Sequence, residues 1–497
     1  MRRAHDVTTV RAGEAELMAV VPKGALMERA AYGLAVSCAG LLGETGGVYG
    51  ADVVVLAGSG NNGGDALFAA AQLARRGAKV LAVPVAASLH AGGAAALVAA
   101  GGRVALDDDE SVLTAAVSSA DLVIDGIVGI GGRGALRELA AVLAEAATQS
   151  PALVVAVDLP SGIDADRGTV EGTAVWADVT VTFGTLKPGL LVAPGALHAG
   201  VVELVDIGLE HHLPPARVQV MQPSDVWSVL AAPGPYDNKY SRGVAGLCAG
   251  SDRYPGAAVL AAAGAVHVGA GLVRYSGPAA AEVVRALPGC LVSTAPAGEV
   301  GRVSAWGVGP GIGLDDAARR RLDDVLALDA PVVVDADALT LLAQRPQADV
   351  LRLLSRRSRP TVLTPHAGEA RRFGGQVNPE TDSLSAAREL AQLTGATVLL
   401  KGYTTVVAKA DGSALVNPTG TPWLATGGTG DVLTGMLTAL LATGADPLLA
   451  GGAAAFLHGL AARRAADGAA TTALDIAAAV PAAVRSLAGD EVRDFRV

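Results

Sequence analysis

The feature that most constrains this chain is a repeated alternation of short aliphatic runs, each ending in a glycine- or aspartate-bearing loop, with stretches of helical periodicity. The runs "DVVVLAG" (52–58), "AKVLAVPV" (78–85), "DLVIDGI" (121–127) and "ALVVAVDLP" (152–160) are apolar at nearly every position, and "DALFAAAQLARRG" (65–77) between the first two has a helical period. Strands without an alternating polar face are buried on both sides, which requires helices above and below a parallel sheet. The expectation is an α/β fold with a doubly wound parallel sheet. Between Gly208 and Lys239 the pattern lapses into proline and polar residues, and it resumes with "GVAGLCAG" (243–250), "APVVVDADALTLL" (330–342), "RPTVLTPHAGEA" (359–370), "ATVLLKG" (396–402) and "YTTVVAKADGSALVN" (403–417). This predicts a first domain over 1–212, a linker over 213–225 and a second α/β domain over 226–497. No fixed period relates the halves, and their glycine-rich loops are expected to follow different strands, so they read as two folds with a site each.

Charge and composition narrow the partners. The 497 residues carry a net charge of -10 and no dense lysine or arginine tract, which disfavours nucleic acid and anionic membrane surfaces and points to small molecules. Three dispersed cysteines, Cys38, Cys248 and Cys290, without a CxxC pair, give neither a disulfide framework nor a thiolate zinc site, and fit a reducing cytoplasm. Mean hydropathy is +0.42, but it comes largely from alanine and valine. The stretch "PGAAVLAAAGAVHVGAGLV" (255–273) comes nearest to a membrane span, yet it holds His267 and several glycines and runs into "GLVRY", so it reads as a buried helix followed by a strand. The N-terminus has charges throughout and no apolar core of signal-peptide length, so a cytoplasmic location is expected.

Three loops in the first half stand at strand ends. "LAGSGNNGGDAL" (56–67) is a strand, a glycine-rich turn and a helix start, where free amides and the helix dipole attract an anion. Glycines there also serve simply to make a tight turn, and Asp65 alone reads as a helix N-cap. "VIDGIVGIGGRG" (123–134) supplies Asp125, and "VAVDLPSGIDADRG" (155–168) supplies Asp158, Ser161 and Asp164. Each Asp has a bland role as a cap or turn former. In an open parallel sheet, however, the carboxyl ends of the strands line the ligand crevice, so the three loops should converge. Oxygens of Asn62, Asp125 and Ser161 would suit a hard cation of low charge better than zinc.

Together, "GSGNNGGDAL", "AVDLPSGIDADRG" and "VTFGTLKPGL" resemble the Rossmann-like N-terminal domain of enzymes that repair hydrated NADH and NADPH, the NAD(P)HX epimerases, over about residues 10 to 210. The resemblance implies interconversion of the R and S epimers of the hydrate. It implies nucleotide contacts from Asn61, Asn62, Gly63, Gly64 and Asp65, and from the loop of Gly129, Ile130, Gly131, Gly132, Arg133, Gly134 and Ala135. It also implies potassium on Asn62, Asp125 and Ser161, with Asp158 at the substrate as a catalytic residue. The loop "GIVGIGGRG" has fewer threonines and leucines than the family pattern.

In the second half, every residue from Thr426 to Gly430 is glycine or threonine, and Asp431 follows at the start of the apolar helix "VLTGMLTALLA". Asp431 reads either as an N-cap or as a base for phosphoryl transfer, with the loop amides holding the phosphates. "AGSDRYPGAAVLAA" (249–262), "WGVGPGIG" (306–313), "VVVDADAL" (332–339), "TPHAGE" (364–369) and "LLKGYTTVV" (399–407) place further polar groups at strand ends. Taken singly, His366 reads as a satisfied buried histidine, Lys401 as a snorkelling lysine, and Asp335 and Asp337 as turn formers. As a set with "GGTGD" they resemble the ADP-dependent NAD(P)HX dehydratases, of ribokinase-like fold, from about Val226 to Leu487.

That resemblance implies that Lys401, Gly402, Tyr403, Thr404, Thr405 and Gly430 bind ADP, and that Ala257, Gly311, His366 and Asp431 face the hydrate. Asp431 would be the general base, with magnesium on the phosphates and AMP and phosphate released. The segment "YDNKYSRG" (236–243) departs from the family, where a histidine often precedes the lysine. A homo-oligomer is expected. Two other readings stay open from the residues: a ribokinase-type small-molecule kinase using ATP, and a nucleotide-binding regulator without turnover.

Overall fold

The computed structural model describes residues 1–106, 108–230 and 233–487. The chain divides into two compact units: one comprises residues 3–217, and the other Met1–Arg2 with the chain from Val218 onward. The break thus falls inside the stretch expected as a linker, but only its first part connects. From Val218 the chain is already a strand, Val218–Val220, followed by the helix Pro223–Val229. Proline at the first helical position and the Gln222–Asp225 capping box explain why so polar a stretch is helical.

The N-terminal unit holds seven parallel strands. Across the sheet they run Arg103–Val104, Lys79–Pro84, Asp52–Ala57, Leu122–Gly126, Leu153–Val157, Val179–Phe183 and Val201–Val205. Sequence order therefore reverses between Asp52–Ala57 and Leu122–Gly126, which is the switch point where a doubly wound sheet opens a ligand crevice. The two cores, one around Leu34, Leu67 and Val155 and the other around Val123, Leu143 and Val154, lie on opposite faces of these strands, as their unbroken apolar runs require. Helix Asn61–Arg75 buries Gly63, Gly64, Ala66, Leu67 and Leu73 and packs on Ala25–Thr45. Ala25–Thr45 is long and apolar enough to cross a membrane by length and composition, with 39% of its apolar window buried.

In the C-terminal unit the parallel run is Leu291–Ser293, Leu272–Ser276, Val244–Cys248, Ala305–Val308, Val332–Val334, Thr361–Leu363 and Thr397–Leu400. Val406–Ala408 and Ala414–Val416 then add an antiparallel hairpin, beside which Val218–Val220 lies parallel. The segment 255–273 is indeed a helix, Pro255–His267, leading to the strand Leu272–Ser276. Helix Thr429–Ala442 crosses it so closely that a Cβ on Gly435 would lie 1.8 Å from the Ala261 carbonyl oxygen, and one on Gly264 2.1 Å from that of Val432. Only glycine permits that approach.

The two sheets reverse at corresponding places, between the first and fourth strands of each parallel run, whereas the Thr426–Gly430 loop follows the hairpin strand Ala414–Val416 and so has no counterpart in the first half. The loops after Asp52–Ala57 and Leu122–Gly126 match those after Val244–Cys248 and Ala305–Val308. The intervening segments differ in length, and this hides the correspondence from any search for a fixed period.

Candidate active sites

In the N-terminal unit the loops at the switch point touch. A Cβ on Gly58 would stand 1.9 Å from the Ile127 oxygen and one on Gly63 2.2 Å from the Gly58 oxygen, so the turn into helix Asn61–Arg75 lies directly against the loop after Asp125. Gly60 takes the N-cap position, so Asp65 is not the cap that its spacing allows; it sits a full turn inside the helix. Its Oδ1 and the Asn62 Nδ2 are buried without a partner. Gly129 runs over Asn62, its absent Cβ only 2.8 Å from Asn62 Oδ1.

Asp125 is fully buried. Its Oδ2 accepts from the Ser161 amide at 2.8 Å and its Oδ1 from the Ser161 hydroxyl at 2.7 Å. Ser161 Oγ also lies 3.0 Å from the Val128 amide and 3.2 Å from the Val128 carbonyl. Burial pushes the Asp125 carboxyl up to about 6, against the hydrogen bonds from Ser161 and Ile127 that favour its charged form. Asp125 and Ser161 are thus bonded to each other, and Asn62 Oδ1 lies beside Gly129, the residue after the Val128 that Ser161 touches. Among the described residues there is no group of three His, Cys, Asp or Glu side chains able to hold a metal.

Asp158 follows the next strand with a φ of 67° and is buried. Its Oδ1 accepts from Lys187 Nζ at 2.5 Å and from Thr182 Oγ1 at 3.1 Å. Lys187, 1% exposed, also donates to Thr182 Oγ1 and to the Phe183 carbonyl, both at 3.0 Å. A buried lysine needs such compensation, and it fixes the carboxylate it faces. Lys187 is a site residue that spacing does not reveal, because it pairs across 29 positions of chain.

In the C-terminal unit, Asp335, His366 and Lys401 stand at the carboxyl ends of three adjacent parallel strands. Lys401 Nζ donates to Asp335 Oδ1 at 2.7 Å and lies 3.9 Å from Glu369. Thr434 donates to the other Asp335 oxygen at 2.6 Å. Asp335 is therefore more than a turn former, and Lys401 points inward rather than snorkelling. Burial pulls the Lys401 ammonium down, but Asp335, Glu369 and Asp431 outweigh it and leave its pKa raised.

Asp431 lies in the first turn of helix Thr429–Ala442, whose N-cap is Gly428 at φ 88°. Its own amide donates to the Gly428 carbonyl, and no capping bond from its side chain is present, so the structural role as N-cap does not hold. Burial first, and then the nearby Asp335, raise its carboxyl to about 7, with Lys401 opposing. Gly430 closes the cluster: its absent Cβ lies 3.5 Å from Lys401 Nζ. Beneath this loop His458 is buried, bonded to the Thr429 backbone and lowered by burial to about 4, so it is neutral there.

The remaining expected residues sort into two groups. Gly402 and Tyr403 are exposed and Thr404 and Thr405 buried, the loop resting on Gly420, whose absent Cβ lies 1.8 Å from the Tyr403 oxygen. His366 is exposed rather than buried. It caps helix Ala367–Ala370, its Nδ1 accepting from the Gly368 amide at 3.0 Å. Gly311, at φ 63°, packs on Ala257, with its absent Cβ 2.8 Å from the Ala257 Cβ. That loop joins the cluster through Gly313, whose amide donates to Asp337 at 2.9 Å.

Two α/β units, each opening a crevice at its switch point and one holding a carboxyl beside a lysine and a glycine loop, define a nucleotide-handling enzyme of two domains. Both units are α/β, the N-terminal sheet wholly parallel and the C-terminal one parallel but for its hairpin. Residues 245–482 match the family described as NAD(P)H-hydrate dehydratase, and residues 23–189 the YjeF-related protein N-terminus. The chain is similar to the bifunctional NAD(P)H-hydrate repair enzyme Nnr of Mycobacterium tuberculosis (strain ATCC 25618 / H37Rv), at 47% identity over 87% of this chain and 88% of that protein. It is likewise 47% identical to the Mycobacterium leprae (strain TN) enzyme of the same name, with the same coverage. Among solved structures, an ADP/ATP-dependent NAD(P)H-hydrate dehydratase from Bacillus subtilis, co-crystallised with ATP and magnesium, is 32% identical. It covers 54% of this chain and 99% of its own, with a TM-score of 0.48. The chain belongs to the family of bifunctional NAD(P)H-hydrate repair enzymes.

Proposed function

We propose that the N-terminal unit interconverts the R and S epimers of hydrated NADH and NADPH, and that the C-terminal unit dehydrates the S epimer with ADP, releasing AMP and phosphate. The observation that carries the reading is the cluster of Asp431, Lys401 and Asp335 beside the Gly427–Gly430 loop. A carboxyl near 7 is poised to exchange a proton at physiological pH. Asp431 takes the proton from the hydroxyl of the hydrate as that oxygen attacks the β-phosphorus of ADP, and AMP leaves. Lys401 and the amides about Gly430 face the phosphates, with Gly402, Tyr403, Thr404 and Thr405 completing the nucleotide side. His366, Ala257 and Gly311 face the hydrate. Loss of phosphate then restores the dihydronicotinamide.

Three carboxylates, Asp335, Glu369 and Asp431, stand against one ammonium at this site. A polyphosphate would enter such a site accompanied by magnesium, which offsets its charge. In the N-terminal unit Asn62 Oδ1, Asp125 Oδ1, Ser161 Oγ and the Val128 carbonyl form an oxygen set with one formal charge, under a loop that only glycine at 129 allows so near. This donor set fits potassium, which would hold the loop of Gly129–Ala135 in place over the substrate. Asp158, fixed by Lys187, faces the reacting ring. Asn61 to Asp65 and Gly129, Ile130, Gly131, Gly132, Arg133, Gly134 and Ala135 contact the nucleotide. The net charge of -10 disfavours nucleic acid and anionic membrane surfaces and supports small-molecule substrates; a cytoplasmic homo-oligomer completes the proposal.

The test compares the wild type with Asp431→Ala and Asp158→Ala on separated epimers of hydrated NADH with ADP and magnesium. Asp431→Ala should abolish NADH recovery from either epimer. Asp158→Ala should slow recovery from the R epimer and leave that from the S epimer intact. Wild-type rates in Asp431→Ala, or equal handling of both epimers by Asp158→Ala, would overturn the assignment.

A further inference from the structure

Epimerisation at a carbon that bears a hydroxyl next to a ring nitrogen needs an acid and a base. The acid must protonate the departing hydroxyl, and the base must take a proton from the water that returns on the other face. Asp158 is locked in place by Lys187 at 2.5 Å and by Thr182 at 3.1 Å, with Oδ1 the acceptor of both bonds. The acid must come from another group near Asp158.

The first helix, Val7–Met18, supplies a group that neither the motifs nor the family resemblance singles out. Glu14 lines a cavity of about 1180 Å³ together with Asn61 and Asp65 of the glycine-rich turn and with Phe183, the residue whose carbonyl accepts from Lys187. Gly13, one position earlier, is pinned: its absent Cβ lies 3.0 Å from the His212 oxygen, so the helix is seated closely enough to hold Glu14 in place. One turn earlier on the same face, Arg11 reaches the other loop of the crevice, with its Nη2 3.3 Å from the position a Cβ on Gly131 would take. The helix therefore faces both the turn and the loop that the epimerase reading assigns to the substrate.

We propose that Glu14 is the general acid that complements Asp158 in the epimerase site, an assignment that rests on the epimerase reading of this unit. The Glu14 carboxyl gives its proton to the departing hydroxyl as the carbon–oxygen bond breaks. The bonding pair goes to oxygen, and the ring nitrogen lone pair forms the carbon–nitrogen double bond. Water adds to the opposite face, its oxygen bonding to that carbon while the nitrogen recovers its pair, and the proton released goes to the Asp158 carboxylate; proton exchange with solvent then restores both carboxyls. Nothing is oxidised or reduced, and water is the only co-reactant.

The surroundings suit the role. Burial first, and then the charge of Asp158, raise the Glu14 carboxyl above the usual range, while Lys187 and Arg11 oppose. Asp65, across the cavity, is raised well above its usual value by burial and by Asp158 and Glu14. Lys23, Glu28, Arg75 and His90 face the cavity farther along its walls. Asp158, ion-paired with the buried Lys187, and Glu14, on the helix that faces the glycine-rich turn, offer the two carboxyls that an acid and base pair needs.

The test follows R-to-S conversion without nucleotide, so that dehydration is idle, by chromatographic separation of the epimers after subtraction of the spontaneous rate. Glu14→Gln should lower kcat by about 100-fold or more with KM changed by less than about threefold. Arg11→Gln removes a cation that favours ionised Glu14, so it should move the alkaline limb of the kcat profile to higher pH. A purely structural helix would raise KM or lower the melting temperature in Glu14→Gln and would leave the Arg11→Gln limb where it is. Either result, with an active wild type, overturns the role of Glu14 alone. A wild type that does not convert the R epimer overturns the epimerase reading and this proposal with it.

Discussion

Replacing Asp335 by Asn removes one charge from the dehydratase cluster and keeps the shape of the side chain. The Asp431 carboxyl is raised to about 7, with burial the largest cause and Asp335 the next. Deleting that neighbouring charge should return about one unit, ~1.4 kcal/mol. A second effect has the same sign. Lys401 loses its 2.7 Å partner and keeps Glu369 at 3.9 Å, so its ammonium is freer to favour ionised Asp431. The acid limb of kcat/KM for the S epimer, set in the free enzyme by the base Asp431, should therefore fall from about pH 7 to about pH 6. Absolute rates should fall at every pH, since Lys401 is no longer held toward Gly430. The assay is NADH recovery at saturating ADP and magnesium from pH 5 to 9. A limb that stays in place or moves upward would refute the electrostatic account of this site.

Three further outcomes are expected. Asp431 is a buried carboxyl with a raised pKa, so its ionisation works against the fold. The contribution of this one group is most favourable below about pH 4, falls as pH rises from about 4 to about 7, and is absent above that. Asp431→Asn should accordingly stabilise the chain in urea at pH 8 by up to about 4 kcal/mol, a gain that shrinks as the pH falls toward 4. Gly435→Ala would press a Cβ to within 1.8 Å of the Ala261 oxygen, so it should cost about 3 kcal/mol or more in urea melts and abolish dehydration through misplacement of helix Thr429–Ala442. Exchanging potassium for lithium should slow epimerisation and leave dehydration unchanged, and Asp125→Asn should lose that dependence on the cation.

What the sequence made legible is what local chemistry carries. The glycine turn at 56–67 and the GGTGD loop were readable because tight strand-to-helix turns impose glycine within a few residues, whatever the rest of the fold does. The hairpin of 406–408 and 414–416 was not read, although "ADGS" between apolar runs carries its turn signal. Roles that depend on distant partners were not readable. Asp335 looked like a turn former because its partners, Lys401 and Thr434, lie 66 and 99 positions away. His366 looked like a buried histidine because nothing nearby discloses that its ring turns back to cap its own helix. Lys187, buried, and Glu14, partly buried, escaped for the same reason: each shows its role only through groups far away in the chain.

The most direct measurement follows absorbance at 340 nm while the purified chain acts on the equilibrium mixture of hydrated NADH epimers with magnesium and ADP, with AMP and phosphate measured alongside. The account predicts recovery that runs to completion, because the R epimer is fed into the S pool, with one AMP and one phosphate formed per NADH. Accumulation of a stable phosphorylated product without absorbance would contradict it and identify the C-terminal unit as a kinase.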